Sequence, residues 1–128
     1  MDREKLLDLY KKYDLGKTDV YKHQHYVIIT RQGIEKIAAK ENITINYEVV
    51  KCEPNFAVVK AYAKKEGVEI QTFGSALKGA NYKDGNCNSW YVMEMAEKRS
   101  LSRSVLKLTG FYELGVFGED ESDDFKRK

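Results

Sequence analysis

Apolar and polar positions alternate through three consecutive stretches in the middle of the chain, and this alternation predicts the heart of the fold. In the first, Ile43, Ile45, Tyr47 and Val49 alternate with Thr44, Asn46 and Glu48. In the second, from Phe56 to Lys64, Ala57, Val59, Ala61 and Ala63 share one face, and Phe56, Val58, Lys60, Tyr62 and Lys64 share the other. In the third, Val68, Ile70 and Thr72 oppose Glu69, Gln71 and Phe73. A period of two is the signature of a strand, whose side chains point to opposite faces in turn. The connections, Glu53 to Asn55 and Lys65 to Gly67, are short, and short turns join antiparallel neighbours. The three strands therefore form a meander. The pattern leaves open which face of the sheet is buried, the alanine-rich one or the one that mixes aromatics with lysine.

Elsewhere the period lengthens. Leu6, Leu7, Leu9 and Tyr10 among charges predict a short amphipathic helix over residues 3–13, with Asp2 as its cap. The polar stretch from Gly16 to Gln24 reads as irregular. Tyr26 to Ile29, rich in β-branched residues, reads as a short strand leading into a helix capped by Thr30, carried by Ile34, Ile37 and Ala38, and closed by Asn42, which tolerates the left-handed conformation. Turn chemistry makes Gly79 to Asn88 a loop. Ser89 then caps the longest helix, from Trp90 to about Thr109, which Gly110 stops; Gly115 and Gly118 break any regular element after it. The predicted fold class is α+β: a three-stranded antiparallel meander, plus the short leading strand, packed against a long C-terminal helix and a shorter preceding helix. Residues 1–118 form one domain, and residues 119–128 form a charged tail.

Composition changes this picture only at its edges. Over 128 residues, 42% hydrophobic and 33% charged, the chain is globular and large enough for one core without staples. No apolar run approaches a membrane span or a signal peptide, which leads us to expect a cytoplasmic protein. Cys52 and Cys87 stand far apart and form no zinc-ligand spacing, so two reduced thiols are expected and no metal or cofactor. Of 22 basic and 20 acidic residues, three and five fall in residues 119–128, which leaves a body of net charge +4. A basic body with an acidic stretch is found among nucleic-acid binders, although a solvated tail has the same composition.

Candidate enzymatic chemistry is thin. There is no Walker loop, dinucleotide fingerprint or nucleophile elbow. His23 and His25 have no further ligand near them in sequence, and Cys87 has only two histidines in the chain to activate it. The last helix is richer. Leu101, Val105 and Leu108 share one face; Arg99, Arg103 and Lys107, spaced by four, make a basic stripe along one edge of the helix, with Leu106 and Val92 near it in angle, and several cations in a row suit a phosphate backbone. A solvated helix face, or one paired with Glu94 and Glu97, gives the same wheel. Nine tyrosines, five phenylalanines and one tryptophan are many for this length. Phe56, Tyr62 and Phe73 beside Lys60 and Lys64 are the parts of a stacking platform for single strands; they serve equally as core if that face is the buried one.

The order of elements resembles the core of the single-strand annealing proteins, which include the eukaryotic recombination mediators that form annealing rings and the phage annealing recombinases. Two stretches carry the resemblance. Tyr26 to Lys40 is similar to the family's leading strand and first core helix. Met95 to Phe111, with Glu97 and Lys98 followed by small residues, leucines and basics and closed by Gly110, is similar to the family's basic helix. The likeness covers about residues 26–111. It implies that Arg103 and Lys107 line the groove for the DNA backbone, with Arg99 one turn earlier and Arg31 at the start of the first core helix. Family members carry further oligomerisation or partner-binding regions beyond this core.

The function expected from these features is that of a single-stranded DNA-binding protein that promotes annealing in phage-type or bacterial recombination, without a cofactor and not as an enzyme. The expected partners are single-stranded DNA, further copies of the chain joined through the free edges of the meander sheet, which the resemblance extends to a ring, and a protein or the groove itself for the acidic stretch; no membrane is expected. Two other readings follow from the same residues. One is a non-enzymatic viral structural or protein-interaction module that is oligomeric and binds no nucleic acid, with tyrosines at its interface. The other is a small-ligand binder built on Cys87 and the loop from Asn81 to Asn88.

Overall fold

The computed structural model describes residues 3–79, 84–87 and 90–121. The chain runs through α1 (Arg3–Lys12), β1 (Val20–His23), β2 (Tyr26–Ile29), α2 (Arg31–Lys40), β3 (Thr44–Glu53), β4 (Phe56–Lys65), β5 (Val68–Leu77) and α3 (Val92–Leu108), then β6 (Val116–Gly118) between two 3-10 turns at Tyr112–Leu114 and Glu119–Glu121. The class is α+β, and the antiparallel meander β3-β4-β5 packs against α3 as its alternation predicts. Among the described residues no helix is long and apolar enough to cross a membrane.

A second sheet, in the order β1-β2-β6, is the main departure from the sequence reading. The stretch expected to be irregular contains β1, which pairs antiparallel with β2 from Val20–Ile29 to His23–Tyr26. Its polar residues hide the period, and Gln24, at φ 56°, makes the tight turn without glycine. Gly118 does not break structure either. β6 runs parallel to β2, and a β-carbon on Gly118 would stand 2.7 Å from the Ser102 β-carbon, so the glycine is what lets β6 lie against α3.

α3 is therefore covered from two sides. Val105 and Leu106, fully buried, join Leu6, Tyr13, Val27, Ile29, Ile34, Ile37, Phe111 and Val116 in a core under the small sheet, α1 and α2. Ala57, Val59, Ala76, Val92 and Ala96 form the core between α3 and the meander. Here the contact is made by small residues. Ala96, Ser100 and Ser104 form a line spaced by four along α3 and lie on β5, where the Thr72 hydroxyl donates to the Ser100 carbonyl at 2.9 Å and meets the Ser104 hydroxyl at 2.7 Å. Gly74 sits beneath the line: a β-carbon there would fall on the Ala96 carbonyl and 2.6 Å from the Ser100 nitrogen. Backbone approaches this close need residues without bulk. The same glycine hides the true end of β5 from the pattern, which stops at Phe73 although the strand runs on to Leu77.

The caps hold as read where they are described. The Gly33 N–H donates to Thr30 Oγ1 at 3.2 Å, Asn42 closes α2 at φ 51°, and Gly110 closes α3 at φ 86°. α3 starts at Val92 rather than Trp90, behind Tyr91, whose side chain makes no capping bond. Asp2 and Ser89 lie outside the described residues.

Two carboxylates, Asp19 buried and Glu41 partly buried, tie the elements together. Glu41 accepts from Tyr13 Oη at 2.6 Å and pairs with Lys12 at 3.2 Å and Lys65 at 3.3 Å, joining α1, the end of α2 and β4. The Tyr13 hydrogen bond, aided by both lysines against the cost of burial, holds its carboxyl below the usual carboxylate range. Asp19, fully buried, accepts from Gly16 N and Lys36 Nζ, both at 2.9 Å. Burial pushes its carboxyl up, but these two donors outweigh burial and hold it down.

Candidate nucleic-acid interface

The basic stripe of α3 is where the small residues of that helix matter most. Arg99 and Arg103 each precede a member of the small line, Ser100 and Ser104, and so hang over the outer edge of β5. Arg99 is only 6% exposed. Its guanidinium donates to the carbonyls of Ser75 at 2.7 Å, Asn86 at 2.6 Å and Asp120 at 3.0 Å. Arg103, half-buried, donates to the Phe73 carbonyl at 3.1 Å. Farther along, the Leu77 N–H donates to Asn86 Oδ1 at 2.7 Å, and the Leu77 carbonyl accepts from Asn86 N and Cys87 N. Side chains and loop thus cap the β5 edge. The three cations of the stripe have different surroundings: Arg99 is turned inward onto backbone carbonyls, Arg103 is at the rim of the sheet, and Lys107 is exposed, its amine 5.3 Å from the Tyr112 ring.

Arg31 is exposed at the first turn of α2, with an ion pair to Glu35 at 3.6 Å, and its backbone N–H donates to the Glu119 carboxylate at 3.2 Å. The start of the acidic stretch therefore contacts two of the expected residues through backbone groups, the Arg31 N–H and the Asp120 carbonyl. Glu119 lies at the start of α2, where a helix favours negative charge, and the Asp120 carbonyl accepts from Arg99.

Lys60 and Lys64 stand apart from this group. The meander buries its alanine face under α3, and its other face carries Phe56, Val58, Lys60, Tyr62 and Lys64 from β4 beside Phe73, Ser75 and Leu77 from β5. Lys60 Nζ lies 5.0 Å from the Tyr62 ring and 5.6 Å from the Phe73 ring. Phe73 is 48% exposed, and no helix of the described residues covers it. Three acids, Glu48, Glu53 and Glu69, share this face with Lys51, Lys60 and Lys64, and Glu48 accepts from Tyr62 Oη at 2.7 Å. Arg103 joins the two regions, because the Phe73 whose carbonyl it holds also presents its ring beneath Lys60.

One further cation–ring pair lies on this face, and another lies just past β5. Lys51 Nζ is 5.8 Å from the Phe56 ring. Lys78, just past β5, is 5.0 Å from Trp90, which is 68% exposed. Sequence reasoning assigned Trp90 to the start of the last helix and so missed its place beside Lys78; on the wheel Trp90 shares the apolar face of Leu101 and Leu108, so the pattern places it in the helix. Lys51 was hidden by a β-bulge, described below.

The remaining chemistry is set elsewhere. Cys87 is buried in the core between the meander and α3, out of reach of solvent, and the loop residues around it are described only from Asp84 to Cys87. His25 packs on Tyr26 at 4.2 Å. A cleft of about 720 Å3 between α1 and β1, floored by Leu6, Tyr10 and Val27 and rimmed by Arg3, Lys17 and Lys22, contains none of the expected site residues.

Comparison of the chain with models of known protein families finds no match. Comparison with curated proteins and with solved structures likewise finds none.

Proposed function

We propose that the protein binds single-stranded DNA on the open face of the meander and promotes its annealing. The observation that carries this reading is the set of half-exposed rings under lysine amines, Lys60 between Tyr62 and Phe73, on a sheet face that no helix of the described residues covers. Bases stack on such rings regardless of sequence, and the amines beside them meet the phosphates. Lys60 and Lys64 are the central cations, and Arg103 continues the path over the β5 edge towards Lys107. Stacking occupies the flat face of a base and leaves its pairing edge for a second strand, which is the arrangement annealing needs. The free energy of pairing drives the reaction, so no cofactor is consumed.

The test separates stacking from charge. Removing a stacking ring costs about 1–3 kcal/mol per base. Phe73→Ala is therefore expected to weaken binding of a labelled single strand about tenfold, and Lys60→Ala to weaken it and flatten its salt dependence by about 0.7 in log–log slope. Unchanged affinity in both variants, with the fold intact, would sink the assignment to this face.

A second reading rests on a specific observation as well. The acids Glu48, Glu53 and Glu69 balance the lysines of the face, and a balanced, aromatic surface also suits a protein partner. A protein-interaction module would show no binding of DNA even at low salt.

A further inference from the structure

The two edges of the meander are treated in opposite ways. β5 is capped along its outer side by Arg99, Arg103 and Asn86. β3 pairs with β4 alone, and among the described residues no hydrogen bond from any other element reaches its backbone. α3 leaves β3 uncovered, so that nine of its ten residues are exposed, Val49 to 57%, Val50 to 52% and Tyr47 to 39%. A long edge strand with exposed apolar residues is a template for another strand.

We infer that β3 pairs antiparallel with β3 of a second copy about a two-fold axis, joining two meanders into one six-stranded sheet. Charge order and the bulge select the partner. The pairing with β4 slips by one residue between Val49 and Lys51, which leaves Val50 as the extra residue of a β-bulge. Glu48 lies opposite Lys60 and Lys51 lies opposite Val58, so the slip puts Glu48 and Lys51 on the same open face although they are three apart. In a two-fold register centred between Val49 and Val50, Glu48 of each copy faces Lys51 of the other. Tyr47 likewise faces Cys52, and both belong to the helix side, opposite Ala61 and Ala57. Without the bulge this register would set side chains of opposite faces against each other. Symmetry makes each ion pair twice, as an isologous interface requires. The exposed valines meet at its centre. The open faces of the two sheets then run into one another, with a Lys60–Tyr62–Phe73 cluster on each half.

The pairing does not rest on DNA binding, and its test uses none. Sedimentation equilibrium of the full chain across micromolar concentrations is expected to show 14.8 kDa monomers in exchange with a species of twice that mass. Glu48→Lys sets like charges together at both ends and is expected to raise the dissociation constant about tenfold or more. Glu48→Lys with Lys51→Glu restores opposite charges and the dimer. Val49→Lys, at an exposed position, also weakens it, and circular dichroism verifies that each variant is folded. A chain that stays monomeric throughout, an association that Glu48→Lys and Val49→Lys leave unchanged, or a swapped pair that does not regain the dimer each overturns the inference. A dimer that fails to bind DNA leaves it standing and overturns only the function proposed above.

Discussion

Arg99 and Lys60 are both cations that sequence alone offers to a phosphate, and their surroundings give them opposite roles. The Arg99 guanidinium is buried on three carbonyls from β5, the following loop and the terminal 3-10 turn. Charge-assisted bonds of this kind are worth more than neutral ones, and leaving their buried acceptors unmet adds to the loss. Arg99→Ala is expected to lower stability by about 2–3 kcal/mol, read as a shift in the urea midpoint. Lys60→Ala, on the open face, is expected to leave that midpoint within about 0.5 kcal/mol of the parent while weakening single-strand binding. The wheel shows the stripe of Arg99, Arg103 and Lys107 but not what it faces. The readable clue was the neighbouring line of Ala96, Ser100 and Ser104. Small residues at every fourth position mark a helix pressed against backbone, and the residue before each of them then overhangs the edge of what it is pressed against.

The elements that could be read from sequence are those whose burial is one-sided. β4 and the first part of β5 alternate cleanly, since each has one face towards α3 and one towards solvent, and Thr30, Asn42 and Gly110 mark helix ends by their own conformational preferences. α3 escaped a simple reading because it is packed from two sides, so that serines are buried as fully as Val105. β1 and β6 escaped because four- and three-residue strands are too short for a period. Gly74 and Gly118 look like breakers in sequence and are contact points in the structure. Gly74→Ala forces α3 off β5, and overpacking of this kind costs about 1–3 kcal/mol. The expected result is a lowered denaturation midpoint together with faster hydrogen exchange in β5, its nearest partner.

At the scale of the whole molecule, α1, α2, β4 and the loop before β1 are held to one another by two carboxylates. Asp19 and Glu41 both titrate below the ordinary carboxylate range in the folded chain. Their contribution is complete above the unfolded values of about 4 and is lost as pH falls through the lower folded values. Stability is therefore expected to drop on acidification from about pH 4 downward, and Asp19→Asn and Glu41→Gln each flatten that limb of a urea-midpoint profile. The open face of the meander is the central functional claim, and fluorescence anisotropy with labelled single-stranded and duplex DNA of equal length, across a salt series, tests it most directly. The account predicts binding that favours the single strand, since only unpaired bases can stack on Tyr62 and Phe73, and that weakens steadily with salt. Absence of binding at low salt, or equal affinity for duplex and single strand, would contradict it.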